Sequence, residues 1–229
     1  MNVKIQPMST LSYIALGLPP ALAIIFYLYL VFRNNKKFGF LLLKAFFAGV
    51  IVSALLLLSL YLANITGLDT FTSLKRTLLY AFVFVGFGAE LGKFLVLRFY
   101  LLPKPEVDTP IHGITFSVMT ALGFATGAVL FFVFNLYESK PPYPMNMYLL
   151  LAAPSNIIFA IIMGFFVGMS KFVESRFLYA LSGLAAASFF DGLFKFCLMT
   201  HDYKLLNIFA FGSALVVVVL IIRAINFRP

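Results

Sequence analysis

One cysteine and two histidines among 229 residues leave little from which to build a covalent framework or a metal centre. Cys197 alone can form neither a disulfide nor a thiolate site within the chain. His112 and His201 are too few for a zinc centre of the usual His/Cys type, so no cofactor is expected. Charge is also scarce: 11% of residues are charged, against roughly 25% in a soluble domain. The net charge of +9 is scattered over short connections with no interleaved aromatic patch, which excludes nucleic acid as a partner and reads as positive charge kept on one side of a membrane. The first apolar run is too long for a signal core and is followed by Arg33-Asn34-Asn35-Lys36-Lys37; it reads as a retained span with a cytoplasmic anchor.

What remains is apolar. With 62% hydrophobic residues and a mean hydropathy of +1.03, the chain reads as an all-α, multi-pass membrane protein whose first partner is the lipid bilayer. Crossing ~30 Å of hydrocarbon takes ~20 residues, and seven runs qualify: 11–32, 38–63, 77–101, 113–136, 147–169, 177–199 and 205–225. They make one transmembrane domain over 1–229, with a core bundle at about 77–199 preceded by two spans and followed by one. Pro19 and Pro20 are expected to kink the first span. Arg33, Lys36, Lys37, Arg98, Lys104, Lys171, Arg176, Arg223 and Arg228 fall at one set of span ends; Lys4, Lys75, Arg76, Lys140 and Lys204 fall at the other. The excess places the N-terminus outside and the C-terminus in the cytoplasm, with the sequon Asn64-Ile65-Thr66 in an outer loop. Tyr27, Tyr29, Tyr100, Tyr137 and Tyr148 read as interfacial anchors, Lys44 as a snorkelling side chain, and His201 beside Asp202 as a solvated loop residue.

Among the charges inside the spans, four can form acid–base pairs. Glu90 and Lys93 lie in the third, Asp191 and Lys195 in the sixth. A charge at a helix centre costs about 2.5–3.5 kcal/mol on insertion scales, so each needs a partner or a function. Asp191 and Lys195 stand at i,i+4 with the acid first, and Glu90 and Lys93 at i,i+3, so both can pair within their helices; pairing across, Glu90 with Lys195 and Asp191 with Lys93, would instead tie the two spans together. Glycines recur beside them: Gly88 and Gly92, Gly123 and Gly127, Gly164 and Gly168, with Gly183 and Ala187 similar. Four-residue spacing of small residues lets helix backbones approach in lipid. A compact core of spans three to six is expected.

GAELGKF, HGITFSVMTALGFATGA, SNIIFAIIMGFFVG and AASFFDGLFKF resemble, in order and spacing, the PrsW-type intramembrane proteases, which are distantly related to the CAAX prenyl proteases. The resemblance implies a membrane-embedded site built from EExxK, FxxxE, an isolated His and HxxxD on successive helices. Here EExxK becomes Ala89-Glu90-Leu91-Gly92-Lys93, keeping Glu90 and Lys93. FxxxE becomes Phe124 to Ala128, the isolated His becomes Asn156, and HxxxD becomes Ala187 to Asp191. His112 stands where an acidic residue is expected. Hydrolysis needs a proton acceptor or a metal-bound water, which Ala89, Ala128 and Ala187 cannot supply. Val129, Asn156 and His112 do not fit an alanine-substitution scheme, so the pattern reads as natural divergence.

The leading expectation is a pseudoprotease without catalytic residues, serving as a structural or client-binding subunit of a membrane complex, with a membrane-protein partner or transmembrane client in the bacterial inner membrane. Two alternatives stand beside it. One is an active protease with Glu90, Asp191 and Asn156 as relocated base, acid and donor; the other is a small ion or proton transporter, for which no inverted repeat is visible.

Overall fold

The structure is a computed structural model and describes residues 10–33, 36–134 and 145–227. Lys4, Tyr137, Lys140 and Arg228 lie outside the described residues. Seven helical spans follow one another, at Tyr13–Phe32, Lys36–Ile65, Leu74–Leu101, Pro110–Val133, Met147–Phe172, Arg176–Met199 and Tyr203–Ile225. Among the described residues there is no strand. Each run is long and apolar enough to cross a bilayer, and the helices satisfy their own backbone groups, as a hydrocarbon solvent demands.

Helix starts follow local chemistry. The Thr109 side chain accepts from the His112 N–H with Pro110 in the first turn, Ser73 does the same for Arg76, and Asp202 for Leu205 at 3.0 Å. The first span runs through Pro19 and Pro20 as one helix. Two spans are irregular. The second breaks at Ser53, between helices Lys36–Val52 and Ala54–Ile65, where the hydroxyl donates to the Val50 carbonyl at 2.6 Å. The third is wound as π-helix over Tyr80–Phe87 and Val96–Leu101 on either side of the α-helical turn Gly88–Leu95, a winding that is often found at functional sites. The Ser59 hydroxyl of span two donates to the Phe84 carbonyl inside the first π segment.

Span four lies at the centre and is mostly buried, whereas spans one and seven are mostly exposed. Glycine sets how closely its neighbours come. A Cβ on Gly123 would run into the Phe46 carbonyl, and one on Gly127 into the Ser53 side chain, both of span two. On Gly164 and Gly168 it would meet Ile114 and Pro110 of span four at 2.7 and 3.0 Å. Gly88 and Gly92 also face span two, at Ser59 and Val52, while Gly86 meets the Gly192 backbone of span six at 2.8 Å. The close-packed core therefore extends beyond 77–199 to include span two. Its glycine partners were hidden because Phe46, Val52, Ser53 and Ser59 form no small-residue pattern.

One end of the bundle gathers four chain segments. Phe38 packs on His112 and Phe116 at 5.1 and 4.9 Å, the Lys171 ammonium donates to the Val107 and Lys104 carbonyls, and Phe172 meets Phe227 at 4.7 Å. Lys36, Lys37, Arg98, Lys104, Lys171, Arg176 and Arg223 cluster toward this end, whereas Lys75, Arg76 and Lys204 sit at the other. Lys44, exposed on span two, lies over the Phe40 ring at 4.4 Å, one turn nearer the basic end. Tyr148 departs from its expected role: it is buried in the core rather than anchored at an interface, because Phe132 packs edge-on against it and the Lys195 ammonium lies over its ring.

Candidate functional site

The GAELGKF stretch forms the regular turn between the two π segments, and Ala89, Glu90, Gly92, Lys93 and Phe94 are all buried. Glu90 is 0% exposed, Lys93 3%, Asp191 2% and Lys195 3%. Such burial inside a bundle of apolar helices requires each charge to be compensated. Both pairings are made within single helices: Lys93 Nζ to Glu90 Oε1 at 2.5 Å, and Lys195 Nζ to Asp191 Oδ1 at 2.7 Å. The two pairs still act on one another, since the Glu90 carboxylate also feels the charges of Asp191 and Lys195. Two carboxyl groups stand against two amines, so the formal charges of the cluster cancel.

The link between helices comes from an amide. Lys93 Nζ donates to Asn156 Oδ1 of span five at 2.8 Å, and Asn156 Nδ2 donates to the Ala152 carbonyl at 2.8 Å. The second bond fixes which end of the amide faces the lysine. The ring of Phe124, from span four, lies 4.7 Å from the same ammonium. Lys195 is likewise flanked by Tyr148 at 5.2 Å and Phe194 at 5.0 Å. Cation–π contact in a desolvated setting partly replaces lost hydration.

Ala89, Phe124 and Ala128 pack into one buried cluster with Leu56, Leu60, Ala63, Tyr80 and Val85. Ala187 is fully buried in the larger core, on the face that carries Asp191 and Lys195 one and two turns on. Two buried polar atoms here have no hydrogen-bond partner: Glu90 Oε2 and Ser188 Oγ. His112 stands apart from this centre, near the basic end, with Nδ1 2.6 Å from Asp108 Oδ1. His201 is an exposed loop residue, as the sequence suggests, and Cys197 is buried.

Sequence reasoning places Asn156 as a substituted position or a donor toward substrate, but the structure uses its oxygen as an acceptor for Lys93. It also missed Phe124 and Tyr148 as ring partners and Ser53 and Ser59 as contributors from span two. The serines had a signal: two serine hydroxyls in SALLLLSLYL, a run otherwise of leucine, alanine and tyrosine, commonly find an interhelical or backbone acceptor.

A seven-span bundle with paired carboxylates and ammoniums buried at its centre defines a polytopic membrane protein with an intramembrane polar site. The sequence model of the PrsW family intramembrane metalloproteases matches residues 39–224, and the chain belongs to that family. It is 26% identical over 193 residues to Protease PrsW of Geobacillus kaustophilus (strain HTA426), covering 83% of this chain and 81% of that one. With Protease PrsW of Shouchella clausii (strain KSM-K16) it shares 25% over 198 residues, 85% and 87% of the two chains, and with that of Bacillus subtilis (strain 168) 25% over 193 residues, 82% and 83%. No solved structure matches the chain.

The family's description implies a metal ion, and the side chains present do not fit one. Among the described residues no three His, Cys, Asp or Glu side chains stand together as ligands. Glu90 and Asp191 each already hold an ammonium, and the Asn156 oxygen is taken by Lys93. A dication needs lone pairs free to bind it, and two ammoniums in the same cluster would repel it.

Proposed function

We propose that this chain is a catalytically inactive member of the PrsW family, a pseudoprotease that serves as a structural or client-binding subunit of a membrane protein complex. The observation that carries this reading is that Ala89, Ala128 and Ala187 are buried around the charged centre and that the amide beside them, Asn156, is engaged at both ends, its oxygen by Lys93 and its nitrogen by the Ala152 carbonyl. A carboxylate neutralised by a lysine on its own helix is a poor base, and an amide whose oxygen is occupied and whose nitrogen is bonded to backbone is not free to steady an oxyanion. Ala89, Ala128 and Ala187 bring methyl groups to the matching faces. The protein would lie in the bacterial cytoplasmic membrane, with the basic end of the bundle inside and the N-terminus outside, and its lipid-facing helices would hold a transmembrane segment of the partner.

Purification of the tagged protein from its host in mild detergent tests this reading. A stoichiometric membrane partner is the expected result; a solitary protein, under conditions that keep other membrane complexes intact, would overturn the subunit role.

One observation favours a second reading, an active protease with relocated groups. Glu90 Oε2 is buried without a partner and is the one carboxylate oxygen of the pair free to take a proton. If the host shows a proteolytic activity that depends on this chain, Glu90→Gln and Asp191→Asn, compared at equal amounts of folded protein, should each abolish it on this second reading and leave it in proportion to the folded protein on the first.

A further inference from the structure

We propose that the Lys93 ammonium is the built-in structural cation of this centre: it compensates the buried Glu90 carboxylate, it ties spans three, four and five to one point, and a free amine can take its place when it is removed. Its neighbours come from three different helices. Glu90 Oε1 of span three lies at 2.5 Å, Asn156 Oδ1 of span five at 2.8 Å, and the face of Phe124 of span four at 4.7 Å. Two oxygens and an aromatic face make a cation site, and the positive charge in it is covalently attached to the chain. The oxygens are held in place for it. Asn156 cannot turn its amide without breaking the bond from Nδ2 to the Ala152 carbonyl, and Glu90 sits in the regular helical turn between the two π segments.

Charge counting points the same way. Asp191 is neutralised by Lys195 on its own helix, so among the described residues Lys93 is the only positive charge bonded to Glu90, whose second oxygen lacks a partner. Without that ammonium the cluster would carry one uncompensated negative charge at 0% exposure, a state that low-dielectric surroundings penalise strongly. A site in this condition should accept a replacement cation of the right size. Lys93→Ala removes three carbons and a nitrogen, the heavy atoms of n-propylammonium. This inference does not depend on whether the chain docks a partner.

The test combines the metal content of the purified wild type with thermal unfolding in detergent. Wild type should contain no stoichiometric transition metal, and neither a chelator nor added zinc should shift its Tm. Lys93→Ala should melt several degrees lower and recover at least half of that loss in n-propylammonium, with little recovery in n-propanol. Should Lys93→Ala fail to fold, Lys93→Met replaces it; it should melt low and regain stability when Glu90→Gln is added. Overturning results are a Lys93→Ala protein that melts like wild type or answers the amine no better than the alcohol, or a Lys93→Met protein that Glu90→Gln does not improve. Stoichiometric metal in the wild type, lost to a chelator with a fall in Tm, would overturn this inference and the non-hydrolytic reading together, whereas failed amine rescue in a metal-free protein overturns this inference alone.

Discussion

Lys93 and Asn156, 63 residues apart in the chain, meet through a 2.8 Å hydrogen bond buried between spans three and five. It joins the charged turn of GAELGKF to a helix that carries no charge at that depth. The ion pairs themselves stay within their own helices, so this neutral amide, and not a salt bridge, crosses the interface. Orientation of the amide by Ala152 and of the lysine by Glu90 makes the contact a fixed one.

Removing the amide should therefore weaken the packing of spans three and five without disturbing the charge balance. Asn156→Leu keeps the branched heavy-atom skeleton and deletes the acceptor, and should cost about 1–2 kcal/mol, in the range of a buried hydrogen bond to a charge or between membrane helices. Reversible unfolding in mixed detergent micelles reads it. An unchanged unfolding curve would mean that the bond carries no weight.

The second pair makes a sharper prediction because it can be broken in two ways. Asp191→Ala leaves Lys195 charged, buried and beside Tyr148 and Phe194, and should cost about 3–5 kcal/mol, as for other broken buried pairs. Removing both charges, with Asp191→Leu and Lys195→Met, should recover most of that loss, because the penalty lies in the orphaned charge rather than in the missing bond. A double variant no better than Asp191→Ala would instead assign the pair an essential packing role.

The division between what these residues reveal in sequence and what they do not has a physical basis. The seven spans were legible because hydrocarbon thickness sets a minimum run of apolar residues, and each observed span falls close to its expected limits. Glu90, Lys93, Asp191 and Lys195 stood out because charge is costly in oil, and their i,i+3 and i,i+4 spacing already permitted the pairing found. The π winding over Tyr80–Phe87 was not legible: YAFVFVGF is uniformly apolar, and the extra residue per turn depends on contacts such as the one from Ser59. Nor could the sequence show that span two belongs to the core. Gly123 and Gly127 announce close approach but not which helix approaches. Tyr148 was misplaced because its position near a span end says nothing about the direction of its side chain.

Glycine positions test that packing directly. Gly123→Val would thrust a branched side chain into the Phe46 carbonyl, where backbone cannot yield without separating spans two and four; it should prevent accumulation of folded protein. Gly212 has nothing within 4 Å of an added Cβ, so Gly212→Ala should be neutral or stabilising by up to about 1 kcal/mol through helix propensity. Expression and monodispersity in detergent report the first outcome and thermal melting the second. Equal effects of the two variants would contradict the tight crossing of spans two and four.

At the basic end, Lys171 should act as a clasp. Its ammonium caps the carbonyls of Lys104 and Val107 across 67 and 64 residues of sequence, and the Val107 N–H itself bonds to the Lys104 carbonyl at 3.1 Å. Lys171→Met keeps the apolar stem and removes the donor, so the turn between spans three and four should open more often. Amide exchange at Val107 should accelerate roughly tenfold, the equivalent of ~1.4 kcal/mol of local protection, while exchange around Lys93 remains as in the wild type. Faster exchange at both places would mean that the bundle loosens as a whole, and no change at Val107 would show that the turn is held by its backbone bonds and by the packing of Phe38 on His112.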